Sequence, residues 1–417
     1  MLRPGLLSAA GALLVYGAFW SVRLARADAD AAQTDLAIVN RACRTVPQSA
    51  AYWLRSAAVT DVEQPESPEI DQSLERAITL NPLSAEARIA RAVRLESRGE
   101  IAGAEREYLN AAQVSHMYKP AWALANFYAR QQRPEEFWIW ARKCLEIVEP
   151  RRLEPFSYNP GPIFDLAWRM SQNASEIRRR LIPQRHFILV DYLEYLGERG
   201  LTDEGAEIAV ELPSFGDPGD NYYLLNFCDR LISEGNGAPA VAIWNAMAEH
   251  TLVRSERLDA RGGLSLSNAD LRRPFERLGF DWRLPAAEGV LQNHFPETGM
   301  VRLEFSGDQP EGVLTFFQSV PVVGGAKYRL NFRYRTQDMQ HANGLIWEIW
   351  DYAGQKATVA ECRITPQADL AKAEARFTAP ADASVVRLGL VYQRAPGSTH
   401  VRGTITLSDF RLSGVDQ

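Results

Sequence analysis

The chain has 417 residues, room for two or three domains of ordinary size. It is 46% hydrophobic, 24% charged and 10% aromatic, a globular composition that excludes wholesale disorder. A net charge of −6 with no Lys/Arg block argues against a nucleic-acid partner, because such a partner needs a basic footprint to release its counterions.

Taken in chain order, the first signal is Pro4–Val22, PGLLSAAGALLVYGAFWSV, an uncharged apolar run between Arg3 and the pair Arg23 and Arg26. It is close to the roughly 20 residues that cross a bilayer as a helix. Tyr16 and Trp20 lie near its far end, where amphipathic rings favour the interface. Residues 1–27 are therefore expected to form a transmembrane anchor. The competing reading is a cleavable signal peptide, with Ala25-Arg26-Ala27 as the A-x-A site. Either one exports the rest of the chain.

Residues 28–262 carry a helical pattern that repeats. Gly99, Ala104, Tyr108 and Ala111 fall at spacings of five, four and three, and so do Gly235, Ala240, Trp244 and Met247. Small residues let two helices of a hairpin approach, a bulky aromatic fills the groove, and glycine reverses the chain. Leu124 to Tyr128, with Phe137 and Cys144, continues the series, and Ala77 with Pro82 closes an earlier unit. Leu153–Pro183, with Pro155, Asn159, Pro160 and Pro162, is expected to be an extended insertion before a helix at Arg185–Gly200. These residues resemble the tetratricopeptide repeat, most specifically over Ala85–Val114 and Ala121–Pro150. That resemblance implies a stacked α-solenoid with a groove for an extended peptide or a partner's helix. Of the repeat aromatics, Trp122, Phe127, Tyr128, Trp138 and Trp140 are expected mainly in the core, since helical spacing alone predicts burial.

At Arg261-Gly262-Gly263 the period changes, and residues 263–417 read as short alternating runs between turns. The runs are Met300–Ser306, Gly312–Val320, Lys327–Arg335, Leu345–Tyr352, Thr358–Ile364, Ala373–Phe377, Val385–Tyr392 and Gly403–Leu412. Strands at this density predict an antiparallel β-sandwich. Leu278–Val290, LGFDWRLPAAEGV, is expected to be an early strand. In it Phe280 and Trp282 share a face as a core or interdomain wedge, and Asp281 and Arg283 share the other. The runs Phe316–Tyr334, Ala375–Pro380, Val386–Val391 and Thr404–Leu412 resemble the paired and closing strands of carbohydrate-binding-module and galactose-binding-like jelly rolls. Asn268–Glu276 resembles their opening segment with its glycine replaced. The fold expected for the whole is multidomain, α plus all-β, with an N-terminal transmembrane helix, a TPR-like α-solenoid and a C-terminal jelly roll.

Chemistry is sparse. Cys43, Cys144, Cys228 and Cys362 are far apart, without metal or thioredoxin spacing, and the six histidines are scattered. No nucleophile elbow, phosphate loop or dinucleotide fingerprint is present. Glu348 and Asp351 are the least implausible acid pair for a glycosidase, and a solvated strand end accounts for them better. Gly216-Asp-Pro-Gly-Asp-Asn221 lacks the calcium-loop register and reads as a turn between helices. No enzyme activity and no cofactor is expected. Sugar binding needs flat rings together with hydrogen-bonding side chains. Trp347 and Trp350, three apart in a strand, point to opposite faces; with Tyr352, Arg333 and Arg335 they are the candidates for a glycan or partner surface.

The layout as a whole resembles bacterial repeat proteins associated with exopolysaccharide or O-antigen assembly and export. The resemblance implies a scaffold on the inner membrane, single-pass, with its bulk in the periplasm or released there after signal cleavage. Its repeats would bind protein partners, and the jelly roll would contact protein or polysaccharide. The alternative it leaves open is a glycan-binding protein whose jelly roll holds the specificity.

Overall fold

The computed structural model describes residues 4–147, 159–340, 343–353, 357–394 and 397–414, with side chains from Gly11 onward. The chain divides into two compact units, Met1–Pro183 and Gln184–Gln417.

The first unit is helical. α1 (Pro4–Ala31) and α2 (Leu36–Thr45) precede three hairpins: α3 (Ala50–Glu63) with α4 (Glu69–Leu80), α5 (Ala85–Ser97) with α6 (Ile101–Val114), and α7 (Tyr118–Arg130) with α8 (Pro134–Ile147). The spacing read from the sequence is what builds them. Gly99 takes φ +79°, a backbone state open to glycine at little cost, and reverses the chain after α5. On α6, Ala104, Tyr108 and Ala111 are buried, and the Tyr108 ring meets Phe127 of the next hairpin at 5.2 Å. Charge ties hairpins together as well: Arg130 donates to both carboxylate oxygens of Glu96, each at 2.8 Å. Burial pushes the Glu96 carboxyl up, but Arg130 and Tyr108 outweigh it and hold the group below its ordinary range.

Two expectations change in this unit. The described residues of the supposed insertion are helical, with α9 (Gly161–Ser171) and α10 (Ala174–Arg180). Pro160 caps α9 and Pro162 lies in its first turn, where a missing N–H costs nothing, so these prolines start a helix. Residues 153–158, with Pro155, lie outside the described residues. The expected span also finds no support: among the described residues no helix is long and apolar enough to cross a membrane. α1 runs unbroken past Val22 into charged residues that pack on the unit. Arg23 donates to the Thr45 carbonyl at 2.9 Å, Asp30 pairs with Arg41 at 2.6 Å, and Ala27 is fully buried.

The second unit opens with two more hairpins, α11 (His186–Glu198) with α12 (Thr202–Glu211) and α13 (Asn221–Ser233) with α14 (Gly237–Glu249). Gly200 and Gly235 turn them at φ +72° and +84°, and Ala240, Trp244 and Met247 are fully buried on α14. The sandwich follows: β1 (Val290–Phe295), β2 (Met300–Phe305), β3 (Gly312–Pro321), β4 (Lys327–Gln337), β5 (Leu345–Asp351), β6 (Thr358–Arg363), β7 (Ala371–Thr378), β8 (Val385–Gln393) and β9 (Gly403–Gly414). Every pairing is antiparallel, in a five-stranded sheet β1-β2-β9-β4-β7 and a four-stranded sheet β3-β8-β5-β6. Alternation fills the core: Tyr328, Leu330, Phe332 and Tyr334 of β4 face Val386, Leu388 and Leu390 of β8 within one cluster.

The eight expected runs correspond to β2–β9, whereas β1 has no counterpart among them. The stretch 278–290, expected as a strand, is irregular up to the start of β1 at Val290, and its ladder contacts are the isolated bridges Arg283↔Phe317 and Ala287↔Val290. Nearby N–H groups are engaged elsewhere, as those of Glu276 and Trp282 donate to the buried Asp281 carboxylate. The change of period at 262/263 is not a boundary between compact bodies either. The helices from 184 onward share a unit with the sandwich, tied by Asp229 to Arg283 and by Ser384 to Gly235 and Gly237.

Candidate interaction surfaces

Clefts open between the first helices of successive hairpins. A cavity of about 530 Å³ between α3 and α5 is lined by Leu54, Ala58, Asp61, Val93, Arg94 and Ser97, floored by α4. One of about 560 Å³ between α7 and α9 is lined by Trp122, Asn126, Arg130, Leu166, Arg169 and Met170. In the second unit, a smaller one of about 220 Å³ lies between α11 and α13, with Gly197, Tyr222, Asn226 and Arg230 on its walls. Val93 and Tyr222 are exposed apolar side chains at these clefts, and Trp122 is half-buried, its ring stacked on Tyr118. By contrast Phe127, Tyr128 and Trp138 are core, and Trp140 is half-buried beneath Lys143.

Arg94 has no signature in the spacing. It is buried, and its guanidinium donates to Asp71 at 2.9 Å and to the carbonyls of Pro65 and Ser67, holding the α3–α4 connection against the first cleft.

The five sandwich candidates do not gather. Trp347 is fully buried, packed on Phe332 at 5.3 Å and Phe410 at 5.5 Å. Trp350 points the other way, as the spacing requires, half-buried under the Arg387 guanidinium at 5.2 Å. Arg387 also pairs with Glu348 at 2.8 Å. Tyr352 shares a 2.9 Å hydrogen bond with Ser319, and burial pushes its hydroxyl above the ordinary tyrosine range. Gly235 of the α13–α14 turn lies so close to Ala353 that a Cβ there would sit 2.8 Å from it, so the helices occupy this edge. Arg333 and Arg335 belong to β4 in the other sheet and point to solvent. A single surface made of all five is therefore excluded by the sheet assignment.

Phe280 and Trp282 are both fully buried but take different partners. Phe280 meets Trp244 of α14 edge-on at 5.9 Å, whereas Trp282 stacks on Phe316 at 4.5 Å inside the sandwich. Asp281, expected to face away, is buried between them, and burial raises its carboxyl to about 6. Arg283 crosses to Asp229 on α13, whose carboxyl burial also raises.

The acid pair fails as a cleft. Glu348 is on the outer face with Arg387, while Asp351 is buried and accepts from the Ala353 N–H. Among the described residues one grouping, His186, Asp217 and Asp220, brings donor atoms within 4.8 Å of one another. Asp217 already accepts from Gly219 N–H at 2.8 Å, which makes this a locked turn between α12 and α13, as expected of 216–221. All four cysteines are unpaired, and burial lifts the Cys144 thiol to about 12.

No family model matches the chain, and no curated protein matches it either. Solved structures give partial likenesses. A CBM4 carbohydrate-binding module is 14% identical over 36% of this chain and all (100%) of its own, with a TM-score of 0.30. PilF of Pseudomonas aeruginosa is 14% identical over 43% of this chain and 82% of its own, at 0.27. YrrB, a TPR protein with an unusual peptide-binding site, is 12% identical over 51% and 94%, at 0.24. At these values nothing is carried over from those proteins. The functional reading rests on this chain's own clefts and faces.

Proposed function

We propose that the chain is a non-catalytic interaction scaffold in which the clefts between successive first helices hold an extended segment or helix of a partner protein. The observation that carries this is the recurrence of the clefts at the same place in the hairpin plan, α3–α5, α7–α9 and α11–α13. A packing defect would have no reason to recur there. Each cleft mixes apolar walls with a charged or amide group, the combination that anchors a peptide and fixes its register. A photo-crosslinking residue at Val93 or Trp122 should capture the partner, and one at Gln113 on α6 should not.

The reading extends to location: an exported chain tethered at the bacterial inner membrane through residues 4–22, its bulk outside and serving polysaccharide assembly or export. What supports the tether is the exposure of Leu13, Leu14, Val15, Tyr16 and Phe19, side chains that water solvates poorly. Protease added to spheroplasts should then degrade the chain; survival until the membrane is lysed would place it inside and end the export reading.

The second reading is glycan contact by the β-sandwich. A specific feature favours it, the open face of the five-stranded sheet.

A further inference from the structure

Register places an unusual set of side chains on the outer face of the five-stranded sheet. Directly paired residues share a face, so Asn293, Arg302, Thr406 and Arg335 form one row across β1, β2, β9 and β4. The next row along sets Ser408, Arg333 and Lys372 side by side on β9, β4 and β7. Beyond the bulge in β9, Arg411 lies beside Asn331 and Glu374, and Ser413 beside Arg329 and Arg376. Strands are about 4.8 Å apart and alternate residues along one roughly 7 Å apart, so this is a grid of cations above the buried Thr406 and Ser408, with the half-buried Asn293 and Asn331 and the exposed Ser413 between them.

Three carboxylates share the face, each already engaged: Glu304 with Arg302, Glu374 with Arg329 and Arg376, and Asp409 with Arg333. Among the described residues, Arg335, Lys372 and Arg411 have no carboxylate partner, and all three are exposed. The face is thus strongly cationic in a chain whose net charge is −6.

We propose that this face binds an anionic polysaccharide, one whose sugar rings carry carboxylate, sulfate or phosphate groups. The proposal rests on the glycan-contact reading above and names its site and ligand class. The guanidinium groups would pair with the acid groups, while the exposed Ser413 and the half-buried Asn331 and Asn293 meet the sugar hydroxyls. An acidic protein fits less well. Protein interfaces centre on desolvated apolar and aromatic side chains, whereas on this face the middle strand sets the buried hydroxyl residues Thr404, Thr406 and Ser408 and the exposed Ser413. The exposed Leu291 and Phe295 lie at the β1 edge, away from the unpaired cations.

The test uses the full chain and immobilised polymers: polygalacturonate and dextran sulfate as anionic glycans, dextran as the neutral one, and polyglutamate as the acidic polypeptide. Retention on at least one anionic glycan is expected, weakening as salt rises, with little on dextran or polyglutamate. Arg333→Glu combined with Arg335→Glu should cut it roughly tenfold or more, because both side chains are solvent-exposed and become repulsive. An unchanged circular dichroism melt would show that the variant folds; if it does not, Arg335→Gln and Lys372→Gln must each lower retention. Tighter binding to polyglutamate would overturn the proposal in favour of a protein ligand. Binding of dextran that is insensitive to the Arg333 and Arg335 changes would overturn this site while leaving glycan contact standing. No retention on any glycan would sink both.

Discussion

Trp282 is where the sandwich core and the segment leading into it meet. Its ring is fully buried, stacked on Phe316 and close to Phe410 at 4.7 Å, and its indole N–H donates to the Asn268 carbonyl at 3.2 Å. Trp282→Ala therefore removes a large apolar surface and leaves a carbonyl without its donor. We expect a loss of roughly 3–5 kcal/mol in urea unfolding; a change below about 1 kcal/mol would mean the ring is not part of the core. The burial of Phe280 and Trp282 is legible from their shared parity and their bulk. Their separate partners are not, because parity assumes an extended strand and the backbone here turns, with Gly279 at φ +60°. At Trp347 and Trp350 the same argument holds, since β5 is a regular strand and odd spacing does send the two rings to opposite sides. What parity cannot supply is the strand neighbour. Arg333 and Arg335 look close to Trp347 in sequence, yet β4 and β5 belong to different sheets.

At the scale of elements, the segment from Glu276 to Arg283 is held by a charge that burial disfavours. The Asp281 carboxyl is raised to about 6 by desolvation, against the two backbone N–H groups that favour its charged form. Its unfolded value is near 3.9, so between about pH 4 and 6 the folded state holds the extra proton. Stability then falls as pH rises through that window and is level above it, by roughly 3 kcal/mol in total. The stability of the wild type minus that of Asp281→Asn should show this fall between pH 4 and 7; a flat difference would exclude Asp281 as its source. Helical hairpins are the most legible elements, because a turn glycine and three buried positions recur at fixed spacing. α9 is hidden in the sequence because proline clusters mark loops and helix starts alike. β1 is hidden since Gln292, Asn293 and His294 interrupt its apolar alternation, while Gln292 and His294 spend their polar atoms on nearby carbonyls.

For the whole molecule, composition points to an acidic chain with no basic footprint, and that average conceals a cationic face. Arginines two apart on β4 become a grid only when β9, β2 and β7 supply their own beside them, a fact of pairing that no single run contains. The helix-to-strand change at 262/263 is equally plain in sequence, but compactness follows contacts such as Trp244 with Phe280, and those place the last two hairpins with the sandwich. The clefts themselves are implied by the hairpin pattern, whereas Arg94 beneath one of them is invisible in it. The most direct test of the scaffold reading is in-cell photo-crosslinking from those clefts. Probes at Val93 and at Trp122 should trap the same partner, with Gln113 as the silent control and Trp122→Glu abolishing capture at Val93. Equal capture from Gln113, or capture at Val93 indifferent to Trp122→Glu, would contradict it.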